Sequence, residues 1–400
     1  MDTPQTSKEI FLDRDQSILE FNRRVLSWAR RDDVPALERL RYVCIVSSNL
    51  DEFFEVRATQ HLLAMNSDDH KGDYSVASFI GLANAAHALV DEQYRVFNDA
   101  VTPALEASGV HVVSHTQRNA RQKKWVKDYF EREVQPLLMP VGLDPAHPFP
   151  LVANKSLNFI VRLIGYDAFG RANEIAIVKV PRVLPRLIRM PRQRGDKEES
   201  LVSLSSVIRG HLGDLFPGRQ VSEFSQFRVT RHSDLAVDEE EVRNLRTALR
   251  QGLQQRHYGQ AVRLEVSAGC SAFLSDFLKG QFNLPPEAVY RVPGPVNLVR
   301  FNQLIDLVDQ PHLLFPSHRA VAPHELLHNQ PIFDQMRERD ILIHQPFESF
   351  DGVMAFLREA VRDPQVLTIR QTIYRTGVQS EMMDLLGEAV RSGKEVTVVV

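Results

Sequence analysis

The chain lacks the features that mark secreted, membrane-spanning and nucleic-acid-binding proteins. Its two cysteines, Cys44 and Cys270, are far apart and have no CxxC partner, so the sequence excludes a disulfide scaffold and a thiolate metal site and fits a reducing compartment. No apolar run is long enough to span a bilayer, and residues 1–10 lack the apolar core of a signal peptide. A net charge of −3 supplies no general basic field for nucleic acid. These absences predict a cytoplasmic protein that does not bind nucleic acid.

What is present is an ordinary globular composition, with 43% hydrophobic and 25% charged residues over 400 positions. This length predicts two or three domains. Helical periodicity dominates residues 1–110 and predicts an N-terminal antiparallel helical bundle, in which the capping-box sequence Ser17-Ile18-Leu19-Glu20 starts the first helix. A more charged helix is predicted over 117–138.

Prolines and strand-like segments predict a middle α+β domain over residues 111–325. A helix is expected over 238–256, with carboxylates in its first turn. The segments that have strand character are 157–164, 174–180, 227–230 and 261–266.

Residues 326–400 have a cleaner alternating pattern. Strands are predicted at 340–344, 365–373 and 394–400, with amphipathic helices at 349–361 and 380–390. This β-α-β-α-β order predicts a largely parallel sheet. Because the sequence stops within the last strand, we expect this domain to be incomplete.

The polar stretch at residues 47–57 interrupts an apolar helix and contains Asn49, Asp51 and an arginine beside two phenylalanines. Ser and Asn are poor helix-interior residues because their side chains compete for backbone hydrogen bonds. One interpretation is a helix end capped by Asn49 or Asp51. The other is a functional amide at Asn49, which offers donors and an acceptor to a purine edge or a phosphate oxygen.

Arg375 lies in the Tyr374-Arg375-Thr376-Gly377 segment, which follows the predicted strand 365–373. Ligands of open parallel sheets bind beyond the carboxyl ends of the strands. A guanidinium there would present a fork of donors to phosphate oxygens. A solvent-exposed loop that happens to carry an arginine is the alternative.

The sequence His324-Glu325-Leu326-Leu327-His328 matches the HExxH pattern of zinc metallopeptidases. That chemistry needs a sustained helix, which holds both imidazoles on one face with the glutamate beside a zinc-bound water. Pro323 and Pro331 leave room for barely two turns, and no third ligand is obvious downstream. A short solvated helix in a linker is the better account.

Several segments, in this order and spacing, identify the chain as similar to polyphosphate kinases of the phosphohistidine-forming type. The segments are Phe21-Asn22-Arg23-Arg24-Val25-Leu26, residues 47–54, Asp144-Pro145-Ala146-His147-Pro148-Phe149-Pro150, residues 227–231, residues 339–344 and Tyr374-Arg375-Thr376-Gly377.

The resemblance implies a multidomain α+β protein: an N-terminal helical domain, an α+β head domain used in dimerisation, and two phospholipase-D-like α/β catalytic domains, the first of which starts in residues 326–400. It also implies reversible transfer of the ATP γ-phosphate to the end of inorganic polyphosphate, through a phosphohistidine and with Mg²⁺. Asn49 would contact the nucleotide, and Arg375 would lie at the magnesium–phosphate site. Since arginine has no lone pair for a metal, we assign Arg375 to phosphate oxygens, through which any magnesium is reached.

The chain departs from the family pattern in two places. Residues 13–18 read Asp-Arg-Asp-Gln-Ser-Ile where the family usually has Asn-Arg-Glu-Leu-Ser-Trp. No histidine in the sequence matches a family catalytic histidine, since His147 and His344 belong to other motifs, so the phosphohistidine is expected beyond Val400 and the chain alone is expected to lack kinase turnover.

The partners that the resemblance implies are ATP or ADP, inorganic polyphosphate and further copies of the chain in a homodimer or homotetramer. Peripheral membrane association is compatible with the sequence. The competing functions are a zinc metallopeptidase that uses His324, Glu325 and His328, and a non-catalytic, oligomerising fragment that binds polyanions.

Overall fold

A computed structural model of the protein describes residues 13–65, 74–143, 148–166, 170, 174–192, 198–232, 259–326, 330–374 and 380–399. The chain divides into two compact units, Met1–Phe315 and Pro316–Val400. Each unit has its own buried hydrophobic cluster. Among the described residues, no helix combines the length and the apolar character needed to cross a membrane.

The first unit begins with helices, which confirms the predicted N-terminal helical region. Their bounds are α1 Arg14–Trp28, α2 Ala36–Phe53, a π-helical segment Phe54–Ala58, α3 Thr59–Met65, α4 Val76–Val96, a second π-helical segment Phe97–Val101, and α5 Thr102–Ala107. Helix α1 packs against α2 and α4. Leu26, Leu40 and Leu89 are fully buried between them.

The prediction that Ser17 caps the first helix is wrong. Helix α1 begins at Arg14, and its cap is Asp13, whose Oδ1 accepts a hydrogen bond from the Gln16 backbone N–H at 2.7 Å. The Ser17 hydroxyl instead donates to the Asp13 carbonyl at 2.6 Å. A carboxylate at the helix N-terminus also interacts favourably with the macrodipole, which explains why the earlier cap is used.

The rest of the first unit is an α+β arrangement, as predicted. Its helices and strands are β1 Val110–Val112, α6 Ala120–Tyr129, β2 Met139–Gly142, β3 Asn158–Ile164, β4 Ile175–Lys179, β5 Leu187–Arg189, β6 Glu199–Ser203, α7 Leu204–Gly210, β7 Gln220–Arg231, β8 Ala261–Ser267, α8 Ala272–Gln281, β9 Val289–Val292 and α9 Asn302–Leu307. Short π or 3₁₀ segments are Phe130–Val134, Gln135–Leu137, Gly213–Leu215, Pro286–Ala288, Leu298–Phe301 and Pro311–Leu313. The helix predicted over 238–256 lies outside the described residues.

The larger sheet of this unit has the strand order β2-β4-β3-β7-β8-β9. Its neighbours are antiparallel except for the parallel pair β8 and β9. Phe159, Ile160 and Val161 on β3 are all fully buried, so this strand is covered on both faces and reads as a continuous apolar run rather than an alternation. A smaller sheet has the order β1-β6-β5. The helices and the sheets share one hydrophobic core.

The second unit contains α10 Ile332–Glu338, α11 Asp351–Arg362, β10 Thr368–Thr372, α12 Glu381–Arg391 and β11 Glu395–Val399. Strands β10 and β11 are parallel, as the alternating pattern predicted. Leu357, Leu386 and Ala389 lie in its core.

The predicted strand at 340–344 is wrong. These residues pair with no strand; the nearby strand-like contact is an isolated bridge between Val321 and Glu348. The reason is that the Glu348 side chain accepts the His344 backbone N–H at 2.8 Å, which removes a donor that a ladder would need.

Substituting Gly294 with alanine should destabilise the first unit. A Cβ at Gly294 would lie 2.9 Å from Cδ1 of Tyr94, a buried ring whose hydroxyl donates to the Pro295 carbonyl at 2.7 Å. We expect a loss of about 1–3 kcal/mol in the free energy of unfolding, the usual result of overpacking, measured by urea denaturation. The matched control is Gly280→Ala in α8, where a Cβ meets nothing within 4 Å. Equal stability of the two variants would contradict the prediction.

Candidate functional site

The polar stretch at residues 47–57 is helical throughout, so the prediction of a helix end capped by Asn49 or Asp51 is wrong. Helix α2 continues to Phe53, and the π-helical segment and α3 carry the helix on to Met65. A π-helical segment re-aims the side chains around it and is frequent at functional sites. The polar side chains of the stretch are satisfied by partners on other elements rather than by capping.

Asn49 is half-buried and is held by a second amide. Its Nδ2 donates to Oδ1 of Asn22 at 2.8 Å, and Nδ2 of Asn22 donates to the Ile18 carbonyl at 2.9 Å. Asn22 is only 1% exposed. Among the described residues, the Asn49 Oδ1 atom has no hydrogen-bond partner. The pair therefore presents an oriented carbonyl acceptor at the surface of α2.

Asn22 is a residue that sequence reasoning missed. It lies in the segment Phe21-Asn22-Arg23-Arg24-Val25-Leu26, which carried part of the family resemblance, but no role was assigned to it. The signal was available, because an amide at a core-facing position of an amphipathic helix needs a polar partner. Nothing in the local pattern identifies that partner as Asn49, which is 27 residues away.

Asp51 enters a buried four-charge cluster with side chains of β7 and β8. Arg228 donates to both Asp51 oxygens at 2.8 Å in a bidentate pair, and its Nε donates to Glu265. Arg263 donates to Glu265 at 3.0 Å and lies 3.7 Å from Asp51. The four side chains are 1–8% exposed. Two cations and two anions leave the cluster neutral, which is what burial of this many charges requires.

The two carboxylates of the cluster share the same guanidiniums unequally. Burial by itself raises the pKa of Glu265, but Arg228 and Arg263 outweigh burial and lower this pKa below its ordinary value. Burial raises the pKa of Asp51 above its ordinary value, against the opposing effect of Arg228.

Glu55 fastens the π-helical segment to the loop that precedes β3. Its Oε1 accepts from Nδ2 of Asn154 at 2.5 Å, and its Oε2 accepts from Nζ of Lys155 at 2.8 Å. The Asn154 Oδ1 atom in turn accepts the Arg231 backbone N–H at 2.9 Å. Asp51 and Glu55 thus join the helices to the sheet. The Oδ1 atom of Asn49 remains available to accept a hydrogen bond.

Arg375 lies outside the described residues, so its predicted phosphate contact stays a prediction. The chain before it is described: β10 ends at Thr372, the Ile373 N–H donates to the Val399 carbonyl at 2.8 Å, and Tyr374 is 91% exposed. Arg375 therefore follows the carboxyl end of a parallel strand, as the sequence predicted. Asn49 and Arg375 belong to different units, and the structure assigns them no mutual geometry.

The HExxH segment does not support a zinc site. His324, Glu325 and Leu326 form a turn rather than a helix, and His328 lies outside the described residues. Nδ1 of His324 is hydrogen-bonded to Glu348, and Oε2 of Glu325 accepts the Leu342 N–H at 3.0 Å. In the described part of the chain, no group of three or more His, Cys, Asp or Glu side chains could hold a metal ion.

The cysteines are equally unsuited to nucleophilic chemistry. Both are buried and free. Burial raises the pKa of Cys44 to about 12, and its thiol donates to the Leu298 carbonyl at 3.2 Å. A thiol that stays protonated at neutral pH is a packing group rather than a nucleophile.

Replacing Asp51 with asparagine should destabilise the first unit strongly. The change leaves Arg228 and Arg263 buried with one anion between them, and breaking a buried ion pair costs about 3–5 kcal/mol. Urea denaturation followed by circular dichroism measures this loss. Glu52→Gln is the matched control, because Glu52 is the neighbouring residue and is exposed. If Asp51→Asn were as stable as the control, the cluster would not hold the unit together.

The second unit should lose stability as the pH falls because of Glu348. Hydrogen bonds from the His344 N–H, the His324 side chain and the His324 N–H lower the pKa of this carboxyl from 4.5 to about 2. A lowered folded-state pKa stabilises the fold fully above the unfolded value, and this stabilisation is lost as the pH falls from about 5 to about 2.

Hydrogen–deuterium exchange of peptides from residues 316–350 tests this. At pH 7 we expect Glu348→Gln to exchange faster than the unchanged chain, with the difference shrinking below about pH 4 as the carboxylate is neutralised. Glu388→Gln on the exposed face of α12 is the control. A difference that stays constant from pH 7 to pH 3 would show that the Glu348 charge is irrelevant.

Three family models match the chain in order. They are the polyphosphate kinase N-terminal domain at residues 11–113, the polyphosphate kinase middle domain at residues 121–304 and the polyphosphate kinase C-terminal domain 1 at residues 331–400. The candidate site residues Asn22, Asn49 and Asp51 lie in the first match. Arg228, Arg263 and Glu265 lie in the second.

Curated relatives and a solved structure agree with the family models. The chain is 47% identical to the polyphosphate kinase of Neisseria gonorrhoeae over 399 residues, which covers 99% of the chain and 58% of that protein. It is 46% identical to the polyphosphate kinase of Xylella fastidiosa over 396 residues, or 98% of the chain and 56% of that protein. The crystal structure of the polyphosphate kinase from Porphyromonas gingivalis matches with a TM-score of 0.79 at 26% identity, covering 98% of this chain and 56% of that one.

The chain thus spans less than two thirds of the length of these relatives. Within that span the order of the domains, the sequence identity and the fold all agree. By these three comparisons, the chain belongs to the polyphosphate kinase family.

Proposed function

We propose that the chain is the N-terminal and central part of a polyphosphate kinase that transfers the ATP γ-phosphate reversibly to the end of inorganic polyphosphate. The names of the matched relatives support this substrate class. The observation on this chain that carries the proposal is the Asn49–Asn22 amide pair. A buried asparagine that is used only to orient a half-exposed one is unexpected in an ordinary surface helix, and it suits recognition of a nucleotide edge.

In phosphoryl transfer the protein mainly positions the reactants and supplies positive charge around the transferred group. In the proposed scheme Asn49 contacts the nucleotide, and Arg375 contacts phosphate oxygens from the loop after β10. A neutral imidazole elsewhere in the family's length acts as the nucleophile and divides the reaction into two steps. We place that histidine in the portion of the relatives that this chain does not span. His344 donates its backbone N–H to Glu348, and His147 lies outside the described residues.

Magnesium enters the proposal as a companion of the phosphates. The described residues offer no cluster of ligands for it, so we assign no protein ligand to the ion. In this proposal Arg375 binds the phosphate oxygens, and the magnesium ion binds the same phosphates rather than Arg375.

The domain limits and partners also remain proposals. We place the nucleotide-contacting helical domain at residues 1–110, the head domain used in homodimer or homotetramer formation at 111–325, and the start of the phospholipase-D-like catalytic domain at 326–400. The cytoplasm is the proposed location, and neither nucleic acid nor zinc has a role in this scheme.

Asn49→Ala should weaken nucleotide binding without unfolding the chain. Loss of one neutral hydrogen bond, about 1 kcal/mol, corresponds to roughly fivefold in affinity. Titration of the 400-residue chain with a fluorescent ATP analogue and magnesium measures the change. Asn22→Leu should weaken binding similarly because it frees the Asn49 side chain to rotate. Ser48→Ala, at the exposed neighbouring position, is the control, and unchanged affinity in both asparagine variants would refute the nucleotide contact.

Incubation of the 400-residue chain with γ-labelled ATP, magnesium and short polyphosphate tests the assignment of the nucleophile. We expect neither labelled polymer nor acid-labile label on the protein, because no histidine of this chain matches the family's catalytic histidines. Labelled polymer made by this chain alone would place the nucleophile within residues 1–400.

A further inference from the structure

A cationic pocket of about 410 Å³ lies in the first unit, away from Asn49 in the sequence and on different elements. It is formed where the start of α6 meets the end of α7. The ionisable side chains that line it are His115, Arg118, Lys123, Lys124, Lys127 and His211. None of these lining side chains is a carboxylate.

Arg118 is the buried cation of this pocket. It is 5% exposed, and Nη2 donates to the Ser206 hydroxyl at 2.5 Å. Its Nε is buried and has no hydrogen-bond partner among the described residues. A buried guanidinium with an unsatisfied donor and no carboxylate beside it is costly, and desolvation lowers the pKa of Arg118. An anion in the pocket would supply what Arg118 lacks.

The carboxylates near the pocket neutralise only part of its charge. Asp214 accepts from Nδ1 of His211 at 2.9 Å, and Glu131 lies 3.7 Å from Nζ of Lys127. In the part of the chain that the structure describes, Arg118, Lys123 and Lys124 have no ion-pair partner. Burial, together with Arg118, Arg209 and Lys123, lowers the pKa of His115, as a surplus of positive charge should. The pocket is therefore a cluster of cations that is only partly neutralised.

Its chemistry favours phosphate over a nucleic acid. Arginine and lysine together bind phosphate oxygens, through a planar fork and through compact point charges respectively. Recognition of single-stranded nucleic acid depends on aromatic platforms for the bases. The aromatic residues of α6, Trp125 and Tyr129, stack on each other at 5.4 Å and do not line the pocket. Lys123 and Lys127, one turn apart on α6, present charge along a line rather than at one point.

We propose that this pocket is an anchoring site for the phosphate groups of an inorganic polyphosphate chain, separate from the nucleotide contact at Asn49. The proposal rests on the proposed function, because it takes the polymer of that reaction as its ligand. Arg118 binds a phosphate at the base of the pocket, and Lys123, Lys124 and Lys127 hold the neighbouring phosphates. Such a site keeps the polymer on the protein between successive transfers.

Binding of short inorganic polyphosphate to the 400-residue chain, measured by isothermal titration calorimetry at two salt concentrations, tests the site. We expect Lys123→Ala/Lys124→Ala to weaken binding about tenfold and to reduce the slope of log affinity against log salt by about two, one for each lysine removed. The matched control, Arg95→Ala/Lys279→Ala, removes the same charge from other elements of the unit. It should bind like the unchanged chain. Polyphosphate should also slow hydrogen exchange in peptides from residues 114–130.

Equal losses in both double variants would overturn the proposal in favour of general electrostatic attraction, and no loss in either would overturn it outright. Orthophosphate binding as tightly as polyphosphate would show a site for free phosphate, and equal binding of single-stranded DNA would show a nucleic-acid surface. Affinity of the lysine variant for the ATP analogue should be unchanged. If the unchanged chain does not bind the ATP analogue, the nucleotide contact is refuted. If the lysine variant nevertheless binds polyphosphate more weakly than the unchanged chain, the anchoring site still stands.

Discussion

The first unit depends on the buried pairing of Asp51 with Arg228. A carboxylate and a guanidinium that are 1–8% exposed have lost most of their hydration, so they are tolerated only where the partner is fixed in bidentate geometry. Glu265 and Arg263 complete a neutral cluster, and the rings of Phe54 and Tyr290 cover Arg263 at 4.7 and 4.5 Å. One arrangement of α2 on β7 and β8 satisfies all these demands, and a shifted arrangement would bury unpaired charge.

That constraint also sets the position of the candidate nucleotide contact. Asn49 lies two residues before Asp51 on the same helix, so the ion pair that docks α2 also fixes the direction from which Asn49 approaches a ligand. Asn22 then fixes the orientation of the Asn49 amide from α1. The polar stretch at 47–57 thus has two roles. Its carboxylates Asp51 and Glu55 hold two parts of the unit together, and its half-buried amide is left for recognition.

The helices and most strands could be predicted because their apolar spacing is a local property. The predicted strand at 157–164 is β3, Asn158–Ile164, and the predicted helix at 349–361 is α11, Asp351–Arg362. The errors occur where a side chain finds a partner that the local pattern does not indicate. Glu348 accepts the N–H of His344 and leaves 340–344 without a ladder. Asp51 finds Arg228 rather than capping a helix, which lets α2 run past Asn49.

The sequence by itself determined the family, the helical and α+β character of the domains, and Asn49 as a residue of interest, since all of these reside in composition, periodicity and the order of short motifs. Only the tertiary structure decided which charges meet. Arg228 is 177 residues from Asp51, and Arg118 meets Ser206 across 88 residues. The burial that makes the first pair strong and leaves the Arg118 Nε atom unsatisfied exists only once the chain has folded, because local sequence sets which side chains carry charge but not how much water they lose.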